Sequence, residues 1–316
     1  MIIRDVVGVE QTKGLFGVEV EVEGIGISGR TPSGWERHDD GSLRGESHEF
    51  VFSTPLDFDE CQKSIQELYS FISKEGGRIL DSVRAGVHVH LNVQERTPID
   101  LMKIIVLYTC LESVFSKLAG EGRSGNLFCL QAHDAEFYTQ QIIHSIEAAD
   151  LRHLNSNNLR YSALNPTSLY KFGSLEFRSL RTPVSPDKIL LWVEAIYNLY
   201  RSIDRFVDPT EIIYAMSGDG YTPFIESVLG QHITKGIKWE DYDVREGILQ
   251  AQQMAFSCDD WGSFNDKFSK KKKENYEANW GVYPGGPRDA AGVTNIDLDT
   301  LRTMVEQFNN IGGRNG

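Results

Sequence analysis

The sequence predicts an α+β fold: a mostly antiparallel sheet, helices packed on one of its faces, an open polar face on the other, and a helical C-terminal extension. Three observations carry this. Residues 16–23, 85–92 and 175–178 alternate apolar and polar side chains with period two, as half-buried strands do. Residues 57–74, 97–118 and 185–206 place apolar residues at helical spacing. Strands and helices do not recur as regular βαβ units, which removes the usual reason for a parallel sheet. No internal repeat is visible.

The first strand spans roughly residues 15–23. Val18, Val20 and Val22 take one face, and Glu19, Glu21 and Glu23 the other. Like carboxylates on one face repel unless something positive sits between them. Gly24, Gly26 and Gly29 break the strand and lead to a loop through Pro32. A turn follows at Asp39-Asp40-Gly41-Ser42-Leu43, and then a strand from Ser47 to Ser53. His48, Phe50 and Phe52 share one of its faces; Glu49, Val51 and Ser53 share the other, and Pro55 ends it. A helix from 57 to 74 opens with acidic residues, places Ile65, Leu68, Tyr69 and Ile72 in one stripe, and stops at Gly76-Gly77.

Residues 85–92 alternate without a break. Val87, Val89 and Leu91 point one way; His88, His90 and Asn92 point the other. A solvent face would more often carry Lys, Thr, Ser or Glu. Two surface histidines on an amphipathic strand are the bland alternative. Thr97-Pro98-Ile99-Asp100 opens a strongly apolar helix that runs to Leu118, with Gly120 after its end. The glycine-rich segment 120–126 carries Arg123 but lacks the Gly-Lys-Ser/Thr of a phosphate loop. Residues 134–149 read as a helix and 155–165 as a loop around Arg160-Tyr161.

The third polar-faced strand sets Glu176 and Arg178 opposite Leu175 and Phe177, and ends at Arg181 and Pro183. Ser185-Pro186-Asp187 caps a helix with Ile189, Trp192, Val193, Ile196, Leu199, Tyr200 and Ile203 on its apolar face. The sheet-building part ends near Phe206. This divides the chain into a catalytic-type domain, 1–206, and a mainly helical extension, 207–316. Lys270 to Lys273 read as a solvated helix end, with a phosphate contact as the alternative. Residues 311–316 read as a frayed tail.

Carboxylates, imidazoles and an arginine on the polar faces of three strands would line a cavity suited to divalent metal and phosphate. Composition narrows the classes further. The chain of 316 residues is 40% hydrophobic and 24% charged, which fits a soluble globular protein. Its net charge of -13 argues against non-specific nucleic-acid binding. No apolar run reaches the length needed to cross a bilayer, and the N-terminus lacks the pattern of a signal peptide. The four cysteines have no Cys-x-x-Cys spacing and read as thiols in a reducing compartment. The expectation is a cytoplasmic protein with no membrane and no nucleic-acid partner.

Taken in order, several short motifs resemble those of the amidoligases. They are Gly17-Val18-Glu19-Val20-Glu21, Asp40-Gly41-Ser42, Glu49 followed by Ser53-Thr54-Pro55, Gly86-Val87-His88-Val89-His90 and Leu175-Glu176-Phe177-Arg178. That family belongs to the carboxylate–amine ligases, similar to glutamine synthetase and γ-glutamylcysteine ligase, and has members associated with phages and bacterial gene clusters. The resemblance covers roughly residues 14–205. It implies a glutamine synthetase-like catalytic fold and an ATP- and magnesium-dependent ligase. In such a ligase a carboxylate is phosphorylated and an amine displaces the phosphate. The resemblance implies metal ligands at Glu19, Glu21, His88 and Glu176, with Asp40 and Glu49 as less closely aligned acids. It implies a nucleotide side at His90 and a phosphate contact from Arg178; Asn92 on the same strand face is a further candidate for the nucleotide, and Arg181 joins Arg178 as a candidate for stabilising the transferring phosphoryl group. Arg123 and Arg160 are loop arginines that could hold a substrate carboxylate, or simply lie at the surface.

The residue types fit this chemistry independently. Magnesium prefers carboxylate oxygens and water, and the histidines also admit manganese or zinc. A guanidinium offers phosphate oxygens a planar fork. Two other readings use the same residues: a metal-dependent hydrolase, and a non-catalytic binding or structural protein that keeps the fold. No His-Glu-x-x-His helix supports the first. The complete set of carboxylates with His88 and Arg178 counts against the second. No Gly-x-Ser-x-Gly motif or activated cysteine supports a covalent nucleophile.

Overall fold

The computed structural model describes residues 1–268, apart from 28, 121–126, 128, 136, 219 and 240. Arg123 and the Lys270–Lys273 run lie outside the described residues. The described residues fall within one compact unit.

Seven strands form one sheet: β1 (Phe16–Ile25), β2 (Trp35–His38), β3 (Glu46–Phe52), β4 (Arg78–Ile79), β5 (Gly86–Asn92), β6 (Leu164–Asn165) and β7 (Ser174–Arg181). The strand order is β2-β3-β1-β5-β7-β6, with β4 paired to β1, and every pairing is antiparallel. The sheet is open. The long alternating runs became its inner strands. Val18, Val20, Val22, Val87, Val89, Leu91, Leu175 and Phe177 are all fully buried on its apolar face. Each such side chain contributes about 1.5–3 kcal/mol relative to exposure.

Helices pack against that apolar face. In chain order the helices begin with α1 (Ile3–Val7), α2 (Phe58–Lys74), α3 (Pro98–Ala119), α4 (Tyr138–Ala148), α5 (Leu169–Phe172), whose Phe172 ring lies against His90, and α6 (Asp187–Ser202). They are followed by α7 (Pro209–Gly218), α8 (Tyr221–Leu229), α9 (Gln231–Thr234) and α10 (Asp241–Ala255). α3 packs on β7, and α6 packs on β5. α7 and α10 also pack on α3, so α3 is buried nearly all round. This explains why its sequence is apolar without a clear stripe. Its start is a complete capping box. Thr97 Oγ1 accepts from Asp100 N at 3.3 Å, and Asp100 Oδ2 accepts from Thr97 N at 3.1 Å.

Three local expectations need adjustment. α4 begins at Tyr138, because Asp134 and Ala135 spend their N–H groups on a turn closed by the carbonyl of Gln131. Residues 155–165 are not all loop: Leu164 and Asn165 form β6. Ser185 does not cap a backbone N–H; its hydroxyl donates to the Asp187 carboxylate at 3.1 Å.

One irregularity matters for the site. Val87 pairs with Leu180 but Val89 pairs with Phe177, so Arg178 and Ser179 together oppose His88. This β-bulge inserts one residue into β7. Arg181, paired with Gly86, thereby falls on the polar face with Glu176 and Arg178. Without the bulge the parity of β7 would put Arg181 with Phe177, toward the core.

Candidate active site

The register arranges the polar face in three lateral rows. In the first, Gly17 of β1 pairs with His90 of β5, His90 with Glu176 of β7, and Glu176 with Asn165 of β6. In the second, Glu36 of β2 pairs with Val51, Val51 with Glu19, and Glu19 with His88, which faces the bulge at Arg178. In the third, His38 pairs with Glu49 and Glu49 with Glu21. There the Gly86 N–H donates to Glu21 Oε2 at 2.6 Å. Period-two alternation on four adjacent strands thus concentrates the titratable residues on one surface.

The side chains of the first two rows touch. Glu19 Oε2 lies 3.0 Å from His88 Nδ1, and Glu19 Oε1 lies 3.3 Å from His90 Nε2. His88 Nδ1 is also 3.5 Å from Glu176 Oε1. Arg178 Nη1 donates to the same Glu176 oxygen at 3.0 Å. Asn165 Nδ2 donates to Glu176 Oε2 at 2.6 Å. His90 Nδ1 and Ser174 Oγ are 3.1 Å apart. Among the described residues, the buried Arg178 Nε has no hydrogen-bond partner.

These contacts set the electrostatics. Burial opposes the charge of Glu19, but hydrogen bonds and charges from His88 and His90 outweigh it and hold the carboxyl well below the ordinary range. Burial likewise opposes a charged His88, and the hydrogen bond to Glu19 with the charge of Glu176 raises its pKa nonetheless. Burial pushes the Glu21 carboxyl up, against His88 and the Gly86 N–H. Burial, with repulsion from Glu19, Glu21 and Asp40, pushes Glu49 up to about 7. Imidazoles thus stand beside the acids in one half of the face, while in the other half the acids crowd one another.

Two sets of donors have metal-ligand spacing. Glu19, His90 and Glu176 offer atoms within 4.8 Å of one another, as do Glu21, Asp40 and Glu49. Oxygen-rich sets with one imidazole suit magnesium or manganese, so the residues fit divalent metal. His90, expected on the nucleotide side, joins the first set, while His88, expected among the ligands, lies between Glu19 and Glu176 with Nδ1 facing both.

The other expected residues are placed differently. Arg181 Nε donates to the Ser82 carbonyl at 2.6 Å, and its Nη2 pairs with Asp81 Oδ1 at 2.8 Å, at the margin of the face. The Asn92 amide donates to Gly14 O at 2.9 Å, and its oxygen accepts from Gln94 N at 3.0 Å, fastening the segment before β1. Arg160 is exposed, with its guanidinium 6.0 Å from the Tyr161 ring centroid. Glu23 shares the polar face but accepts from Ser82 Oγ at 2.6 Å and Arg44 N at 2.7 Å, which gives it a structural task. Asn165, Ser174, Glu36 and His38 were not anticipated. Ser174 lies two residues before Glu176, so parity could have found it. Nothing in the local pattern marks the other three as members of this face.

The polar face of this open antiparallel sheet gathers two carboxylate-rich donor sets and a guanidinium. Residues 37–197, just over half of the chain, match the family described as "Putative amidoligase enzyme", and the chain belongs to that family. The matched span holds Asp40, Glu49, His88, His90, Glu176 and Arg178; β1 with Glu19 and Glu21 precedes it and joins the site through register. No curated protein matches the chain. Among the described residues, no helix is long and apolar enough to cross a membrane.

Proposed function

We propose that this protein is an ATP- and divalent-metal-dependent carboxylate–amine ligase with a glutamine synthetase-like catalytic sheet, working through an acyl-phosphate. The observation that carries this reading is the meeting of Glu19, His88, His90, Glu176 and Arg178 on one sheet face, beside the Glu21, Asp40 and Glu49 set. Membership of the amidoligase family supports ligation over hydrolysis.

The reaction has two displacements. A substrate carboxylate oxygen attacks the γ-phosphorus of ATP and ADP departs. The amine nitrogen then attacks the acyl carbon, loses a proton, and phosphate departs. Glu19, His90 and Glu176 would hold one divalent ion, and Glu21, Asp40 and Glu49 a second. When bound, such ions neutralise phosphate charge and align the polyphosphate. Arg178 supplies a fixed guanidinium with a free buried Nε where negative charge gathers during phosphoryl transfer. His88, held between Glu19 and Glu176, keeps those carboxylates close together until metal arrives. The test is a screen for amine-dependent ADP release across amino acids and polyamines, with magnesium or manganese. Turnover that needs both ATP and an amine supports the ligase. Metal-dependent hydrolysis of an amide without ATP overturns it.

A further inference from the structure

We infer that Asn165 is a positioning residue: its side-chain amide occupies Glu176 Oε2, so that Glu176 presents Oε1 to the site and Arg178 contacts the carboxylate through Nη1 alone. The inference rests on the metal-site reading above and assigns a role to a residue outside both donor sets.

The geometry fixes which end of the amide faces the glutamate. Asn165 Oδ1 accepts from the backbone N–H of Thr167 at 2.9 Å and from Thr167 Oγ1 at 2.8 Å. A backbone N–H only donates, so the oxygen must face Thr167 and Nδ2 must face Glu176. The register pairs Asn165 directly with Glu176, which places the amide at 2.6 Å from Oε2. Both residues are buried, Asn165 3% and Glu176 6% exposed.

The consequence concerns Arg178. The terminal torsion of a glutamate is soft, and an arginine beside a carboxylate readily takes both oxygens in a two-pronged fork. Here Arg178 reaches Oε1 through Nη1, and its Nε has no partner among the described residues. Asn165 already holds the second oxygen and sets the carboxylate plane, so that Arg178 meets it through one nitrogen only. Removing that donor leaves a buried carboxylate oxygen unsatisfied. Glu176 then turns toward Arg178, away from Glu19 and His90, and the fork closes.

The experiment is calorimetric titration of the full chain with Mn2+ alone, beside the melting temperature of the metal-free protein. Parent protein is compared with Asn165→Ala, Asn165→Asp and Thr167→Val. Asn165→Ala is expected to weaken Mn2+ binding about 10–100-fold, the usual cost of losing a residue that orients a ligand. Asn165→Asp keeps the acceptor for Thr167 but lacks the donor, so it is expected to lose affinity as well, and it serves if the alanine variant does not fold. Thr167→Val is expected to lower the melting temperature and leave affinity within about twofold, since Asn165 still accepts from the Thr167 N–H. Folded variants at Asn165 that bind Mn2+ as tightly as the parent, or tighter, overturn the inference. A parent that binds no Mn2+ overturns the metal-site reading beneath it, which is a distinguishable result.

Discussion

Replacing Glu112 by Gln should stabilise this protein at neutral and alkaline pH and take a slope out of its pH–stability curve. Glu112 lies on α3, away from the polar face, and is 4% exposed. Its Oε2 accepts from Ala132 N at 2.7 Å. Burial, offset in part by that hydrogen bond and reinforced by Asp134, pushes its carboxyl from the ordinary 4.5 to about 8. Between those values the folded state keeps a proton that the unfolded chain has released. Stability therefore falls as pH rises through that window and levels off above it. At about 1.4 kcal/mol per pH unit, the cost is roughly 3 kcal/mol near pH 7 and roughly 5 kcal/mol near pH 9. Glutamine keeps an acceptor for the Ala132 N–H and does not titrate. The assay is urea unfolding of parent and variant, with a chelator present, at about pH 5, 7 and 9. The stability difference in favour of Gln should widen by roughly 4 kcal/mol from the lowest to the highest pH. A difference that stays constant across the series would falsify the assignment of a buried, protonated Glu112.

Three further outcomes are expected at the polar face. Arg178→Lys keeps a charge near Glu176 but loses the planar fork, so ATP turnover should fall about 10³-fold or more while Mn2+ binding and the fold survive; parental turnover would remove Arg178 from the mechanism. Glu21→Ala and Glu176→Ala should each weaken Mn2+ or Mg2+ binding, read by calorimetry without nucleotide; affinities equal to the parent's in both would count against these ligands. Asn92→Ala should cost about 1–3 kcal/mol in urea unfolding, because the Gly14 carbonyl and Gln94 N–H lose their partner; an unchanged stability with a raised KM for ATP would instead place Asn92 at the nucleotide.

Much of the polar face was legible because side-chain parity is a local property. Glu19 and Glu21, His88 and His90, and Glu176 and Arg178 each share a face through the period of two, whatever the strands pair with. The apolar helices and the Thr97 capping box were equally local. Less was legible in short elements. β2 is four residues, one of them apolar and three polar, with no apolar alternation, so nothing in the segment announced a strand that would put Glu36 and His38 beside the acids. β6 has only two residues, too few for any period.

What the sequence determined by itself was therefore the set of two-faced strands and the chemical character of their polar sides. The tertiary structure decided which strands became neighbours, in what register, and where the register slips. Adjacency put Glu19 between His88 and His90, and the bulge at Arg178 and Ser179 moved Arg181 to the polar side. It also decided that Asn165 holds the second oxygen of Glu176, and that Glu112 is buried against the Ala132 N–H. These features depend on contacts between residues far apart in the chain. Their energies come from burial and pairing that exist only once the sheet and its covering helices have assembled, so no window of local sequence contains them.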